Sequence, residues 1–151
     1  MRYLGLALLA MVLAGCTVGV KKKHDDDIYR EAMQLGVESS NDAQLQLITI
    51  KIPSHGLLAD QATIRLGGGA NAGLLREMLQ GMEGERGKAL LVIGGNPSLD
   101  YAVISNAVTG LQLEGVRFIF SGKPSQKTEL ENIVKATGAS FQFIVLSKRP
   151  T

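Results

Sequence analysis

The sequence predicts an α/β fold, a small and mostly parallel sheet of about five strands with three crossover helices (a βαβαβαβ repeat), preceded by a short N-terminal helix. Two observations carry this expectation. Apolar runs of β character at 62–66, 89–93, 116–120 and 141–146 are centred near residues 64, 91, 118 and 143, about 25–27 residues apart, which is the length of a strand plus a crossover helix. Between them the apolar spacing turns helical. Leu74, Leu75, Met78, Leu79 and Met82 share one face, as do Ile104, Ala107, Val108 and Leu111, and then Leu130, Ile133, Val134 and Thr137.

In chain order, Asp25-Asp26-Asp27 suits a helix start, because carboxylates satisfy free N–H groups there and complement the dipole. Ile28, Tyr29, Ala32 and Met33 then share a face, and Gly36 is a plausible stop. In the run 45–52 the alternation slips phase near Leu47, which indicates a bulge or a strand buried on both sides for part of its length. Pro53 directly after it points to an edge position, with the 62–66 segment as a candidate partner. Asn71 lies near the start of the first crossover helix, Asn96-Pro97 places proline at the first position of the second, and Pro124-Ser125 opens the third. Gly138 suits the left-handed residue that ends it. The run Ala89-Leu90-Leu91-Val92-Ile93 is apolar throughout, as expected of a central strand covered on both faces.

The chain has 151 residues, with 16 Lys and Arg against 14 Asp and Glu, one cysteine, two histidines and no tryptophan. That length suits one ordinary domain with a real core, and the near-neutral balance offers no basic field for nucleic acid. The first sixteen residues stand apart. Arg2 precedes the apolar run from Leu4 to Leu13, and the run ends in Leu13-Ala14-Gly15-Cys16. A spanning helix needs about 20 apolar residues, so this shorter run reads as a secretory signal with a small-residue cleavage site.

The segment resembles the signal of bacterial lipoproteins, whose box of Leu, a small residue, Gly or Ala, then Cys matches at all four positions. The resemblance implies cleavage before Cys16, a diacylglycerol on its sulfur and an acyl chain on its new amino group, with no other cofactor. Two or more chains anchor a protein stably to a bilayer. Thr17, rather than Asp, follows the cysteine; the family's sorting rule then implies the outer membrane, with the periplasmic face as the expected side and surface display as the other reading. The expected organisation is a signal at 1–15, a lipidated N-terminus and charged tether at 16–27, one α/β domain at 28–147 and a tail at 148–151. With Cys16 acylated no disulfide is available, so packing alone stabilises the domain. Lys21-Lys22-Lys23 followed by the Asp run reads mainly as a solvated tether whose opposite charges cancel, with lysine contact to anionic headgroups as the other reading.

Three glycine-containing turns follow apolar runs: Gly67-Gly68-Gly69, with Asn71 beyond it, Gly94-Gly95-Asn96, and Ser121-Gly122-Lys123. In a parallel sheet these would lie together at the carboxyl edge, where open α/β sheets bind ligands. Backbone N–H groups, helix dipoles and Lys123 make a candidate phosphate or carboxylate site. Against this, Gly67, Gly69 and Ala72 meet only the loose dinucleotide pattern, no acidic residue ends the following strand, and no Walker loop occurs. Glycine is also the default residue of short turns, and that reading is preferred.

Catalytic constellations are scarce. His24 and His55 lie far apart in sequence, so no metal-ligand spacing arises, and Ser54 beside His55 is not a nucleophile–base pair because sequence neighbours rarely point at one another. Asp60 and Asp100 could approach the glycine edge, but a lone carboxylate there is more often a helix or turn residue. The expectation is therefore a non-enzymatic accessory or structural component of an envelope assembly such as a secretion, conjugation, pilus or polymer-export apparatus. Its partners would be the membrane and envelope proteins, with a homo-oligomer open. The alternative is a periplasmic receptor for a small anionic or glycan ligand at the glycine edge.

Overall fold

The computed structural model describes residues 21–38, 45–85 and 87–147. Four parallel strands, β1 (Gln46–Lys51), β2 (Lys88–Ile93), β3 (Arg117–Gly122) and β4 (Ser140–Val145), lie side by side in chain order. The helices are α1 (Asp25–Glu38), α2 (Leu57–Arg65), α3 (Gly69–Gln80), α4 (Pro97–Val108) and α5 (Lys127–Lys135), the last entered through a 3-10 turn at Pro124–Gln126. The α/β class and its parallel sheet are as expected.

A sheet wound in one direction with crossovers of one hand puts every crossover helix on the same face. The side chains divide accordingly. Leu90, Val92, Phe118 and Phe120 meet Leu75 and Leu79 of α3, Val103 and Ala107 of α4, and Leu130 and Val134 of α5 in the larger core. The alternate positions Ala89, Leu91, Ile93, Ile119 and Ile144 meet Ile28 and Ala32 of α1, which is the one helix on the second face among the described residues. This explains why β2 reads as apolar without alternation. Across the β3–β4 pair, Phe118 stacks with Phe141 at 6.2 Å between ring centroids and Phe120 lies beside Phe143 at 6.0 Å. Such pairs contribute about 0.5–1.5 kcal/mol each beyond their buried area.

The phase slip in β1 has a simple cause. Leu45 and Leu47 turn toward α1 while Ile48, Ile50 and Ile52 turn toward the crossover helices, and the register with β2 runs unbroken from Gln46 to Lys51. The strand is unbulged and packs half-buried apolar side chains on both sides, and it does form one edge of the sheet.

Three expectations need correction. The 62–66 segment is not a strand: it belongs to α2 and the turn after it, and β1 pairs with β2 instead. Gly36 does not stop α1, which runs on to Glu38; it is buried inside the helix, where a Cβ would collide with Leu45. The charged segment expected as a free tether is docked from Lys22 onward. Lys22 forms an antiparallel bridge with Ser147, the Lys23 N–H donates to the Leu146 carbonyl at 2.9 Å, and Lys23 pairs with Glu31 while Lys51 pairs with Asp25 at 2.7 Å. The signal, Cys16 and the 148–151 tail lie outside the described residues.

Val92 is fully buried among Leu90, Phe120 and α4. An unpaired carboxylate there has no partner and costs several kcal/mol, about the whole margin of a domain this size. Val92→Asp should abolish the cooperative thermal transition followed by circular dichroism. A variant melting near the wild type would contradict the central position of β2.

Candidate functional site

The exits of β1, β2 and β3 meet at the carboxyl edge, and each is closed by a side chain reaching back from the helix that follows. After β1, the Asp60 carboxylate accepts from the Ser54 hydroxyl at 2.5 Å and the His55 N–H at 2.8 Å. After β2, the Asp100 carboxylate accepts from the Gly95 N–H at 2.9 Å. After β3, the Gln126 carbonyl oxygen accepts from the Lys123 N–H at 2.8 Å. In the first two exits the aspartate sits five residues after its donor, at the same place in the first turn of α2 and of α4.

The three closures are laced together. The Asn96 side chain caps α4 by accepting from the Ser98 N–H at 3.1 Å, as its place before Pro97 predicts, and its amide donates to Asp60 at 2.9 Å. The Gln126 amide donates to Asp100 at 3.0 Å. Asp60 and Asp100 are both buried, yet their environments differ in sign. The hydrogen bond from Ser54, then that from the His55 backbone and, more weakly, that from Asn96, hold Asp60 below the usual carboxylate range. Burial pushes Asp100 upward, against the hydrogen bonds from Gln126 and the Gly95 and Asn96 backbone and with a small contribution from the Asp60 charge.

This arrangement explains the glycines. Gly94, Gly95 and Gly122 do not have positive φ; they are glycine because a Cβ has no room. At Gly94 it would strike the Asp100 carboxylate and the Phe120 ring, at Gly95 the Ile52 carbonyl oxygen at 2.7 Å, and at Gly122 the same ring and the Gln126 side chain. Of the predicted site residues, Gly94, Gly95, Asn96, Ser121, Gly122 and Lys123 do gather at one edge. The N–H groups of Gly95 and Lys123 are already used by Asp100 and Gln126. The Ser121 hydroxyl is fully buried and finds no hydrogen-bond partner among the described residues.

Gly67, Gly68 and Gly69 are not at this edge, which corrects the grouping of three turns. They form the corner between α2 and α3, because the segment before them is helix. Here φ is positive at all three, and Gly68 rests on the Val103 backbone of α4, where a Cβ would come within 2.7 Å of its Cα. The Asn106 amide donates to the Gly67 carbonyl at 2.6 Å, and Asn71 falls within the first turn of α3.

Two concavities adjoin this framework. A notch of about 320 Å³ at the carboxyl edge is bordered by Lys22, Gly95, Gly122, Lys123 and Leu146. A larger groove of about 650 Å³ runs over α4 with α2 and α5 as walls; Ile64, Pro97, Tyr101, Ala102 and Leu130 supply its apolar lining, and Ser105, Asn106 and Glu129 are among its polar residues. Sequence reasoning does not reveal this groove. Its wall α2 buries one side chain, Asp60, and exposes Leu57 (74 %), Leu58 (86 %) and, just past its end, Leu66 (75 %).

Ser54 donates to a carboxylate, and a carboxylate with lowered pKa is a poor base. Among the described residues no three His, Cys, Asp or Glu side chains come together as a metal site, and no helix is long and apolar enough to cross a membrane. No protein-family model, curated protein or solved structure matches the chain.

The opposed shifts make a pH prediction. Asp60, with its folded pKa lowered, contributes stability that is full above the unfolded value and lost as pH falls from about 4 through the folded value. Asp100, with its folded pKa raised, costs stability when ionised, and that cost disappears on acidification. Asp60→Asn should therefore lower the melting temperature at neutral pH, and the gap from wild type should close as the pH is taken below about 4. Parallel curves across that range would show that the Asp60 charge does not hold the β1 exit.

Proposed function

We propose that the chain is a bacterial outer-membrane lipoprotein, anchored by acyl chains on Cys16. Its periplasmic α/β domain is a non-enzymatic accessory component of an envelope assembly, binding a protein partner in the groove over α4. The anchor rests on the four matching residues Leu13-Ala14-Gly15-Cys16. The observation that carries the binding reading is the surface of α2 and α4. A groove lined by Ile64, Tyr101 and Leu130 and edged by polar side chains, with exposed Leu66 beside its Gly67 border, has the apolar-centre, polar-rim character of a protein-binding surface.

The alternative is a receptor for a small anion at the glycine edge, and Lys22 and Lys123 beside the notch speak for it. The edge is poorly provided otherwise. The N–H groups of Gly95 and Lys123 close on side chains of the fold, Pro124 has none, and two carboxylates lie behind the turns. A bound phosphate would have to displace hydrogen bonds rather than complete them.

Two measurements on intact cells test the proposal. Palmitate should label the wild type and not Cys16→Ser; equal labelling, or none in either, would sink the anchor. A photo-crosslinking residue at Tyr101 should give one discrete adduct with another envelope protein, in high yield, while the same residue at exposed Gln112 gives none. An adduct of twice the chain's mass would mean that a second copy fills the groove, and no adduct at Tyr101 would remove the groove from the function.

A further inference from the structure

The chain enters the fold at the carboxyl edge of the sheet. Lys22 bridges Ser147 just past the end of β4, and Asp25 pairs with Lys51 at the end of β1, so α1 starts at this edge and runs away from it. Only residues 17–21 separate Cys16 from the docked Lys22. Fully extended, that span reaches about 20 Å. A domain of this size is about 35 Å across. An anchor so short, fixed at one edge, cannot bring the opposite edge of the sheet to the surface that holds it.

Leu57 and Leu58 stand at the same edge, as the first two residues of α2 after the β1 exit, and they are exposed side by side. The charges at this edge lean positive: Lys21, Lys22 and Lys123 are exposed against exposed Asp26, while Asp25 is paired with Lys51. Lysines near an anionic surface add about 1 kcal/mol each, which draws this edge toward headgroups but does not seat it in the apolar boundary. The apolar pair is therefore the feature of this edge suited to lipid. A weak contact suffices there, because the anchor holds it at high effective concentration against the bilayer.

We propose that the carboxyl edge of the sheet faces the bilayer and that Leu57 and Leu58 seat in its interface, an inference that rests on the lipid-anchor reading. The groove over α4 then starts near the membrane at Pro97 and runs outward to Thr109, leaving its far end open to a partner. Leu66 supplies an internal control. It is as exposed as Leu57 but stands at the other end of the same helix, about 13 Å further from the edge.

The test uses the full lipidated protein purified from bacterial membranes, in which acylation of Cys16 leaves an introduced cysteine as the only free thiol. Leu58→Cys and Leu66→Cys, each labelled with an environment-sensitive fluorophore, are reconstituted into phosphatidylethanolamine–phosphatidylglycerol vesicles. The label at position 58 should be blue-shifted and at least twofold more strongly quenched by shallow nitroxide lipids than the label at 66, at every phosphatidylglycerol content used. Both sites are exposed, so neither substitution threatens the fold. Palmitate incorporation in the same preparation reports the anchor separately. Its absence would remove the premise and the inference together, whereas a palmitoylated protein with equal quenching at both positions would overturn the orientation and leave the anchor standing.

Discussion

The carboxyl edge depends on the buried carboxylate of Asp100. A charge taken out of water is tolerated only where hydrogen bonds replace its hydration. Asp100 obtains them from the Gly95 N–H and the Gln126 amide, and Gln126 in turn holds the Lys123 N–H. One carboxylate thus fixes the exits of β2 and β3 together, and the room it occupies beside Phe120 is what forces glycine at 94. Asp60 does the same for β1, and Asn96 couples it to the α4 cap. Side chains of the domain itself therefore fill the positions at Gly95 and Lys123 that a phosphate would take at a glycine-rich strand exit.

What was legible in the sequence follows from which elements bury apolar surface in a regular pattern. The strands β2, β3 and β4 and the helices α3, α4 and α5 each present continuous or periodic apolar faces, so their places could be read directly. Pro53 marked β1 as an edge strand. The helix α2 could not be read, because its buried face is a single aspartate, while Thr63, Ile64 and Leu66 mimic a short strand. Gly36 misled for a related reason. A glycine in a helical pattern can mark a close approach or a stop, and here the packing of Leu45 across the gap tells them apart.

The site was half legible. That glycines 94, 95 and 122 would meet at one edge follows from parallel topology, and Asp60 and Asp100 do approach it. Their role as closures was signalled by an offset that periodicity does not examine, an aspartate five residues after the N–H it accepts in both exits. Gln126 and the lacing by Asn96 depend on distances between different loops, which no local pattern records. The grouping of Gly67, Gly68 and Gly69 with the other turns failed together with the strand assigned before them.

The polar fastening of α2 has a consequence for binding. Core helices are held by buried apolar area, at about 25 cal/mol per Å², and release only with the whole domain. By contrast α2 is held by the Asp60 closure, by the Asn106 amide on the Gly67 carbonyl, by the contact of Gly68 with Val103 and by half-buried Ile64, while Leu57, Leu58 and Leu66 stay out of the core. Few buried apolar contacts are the mark of the low-stability end of a fold. As one wall of the groove, α2 presents apolar surface that the fold itself leaves uncovered. A partner that covers Leu66 and Ile64 also adds the apolar burial that α2 lacks, so binding and ordering of this wall reinforce one another.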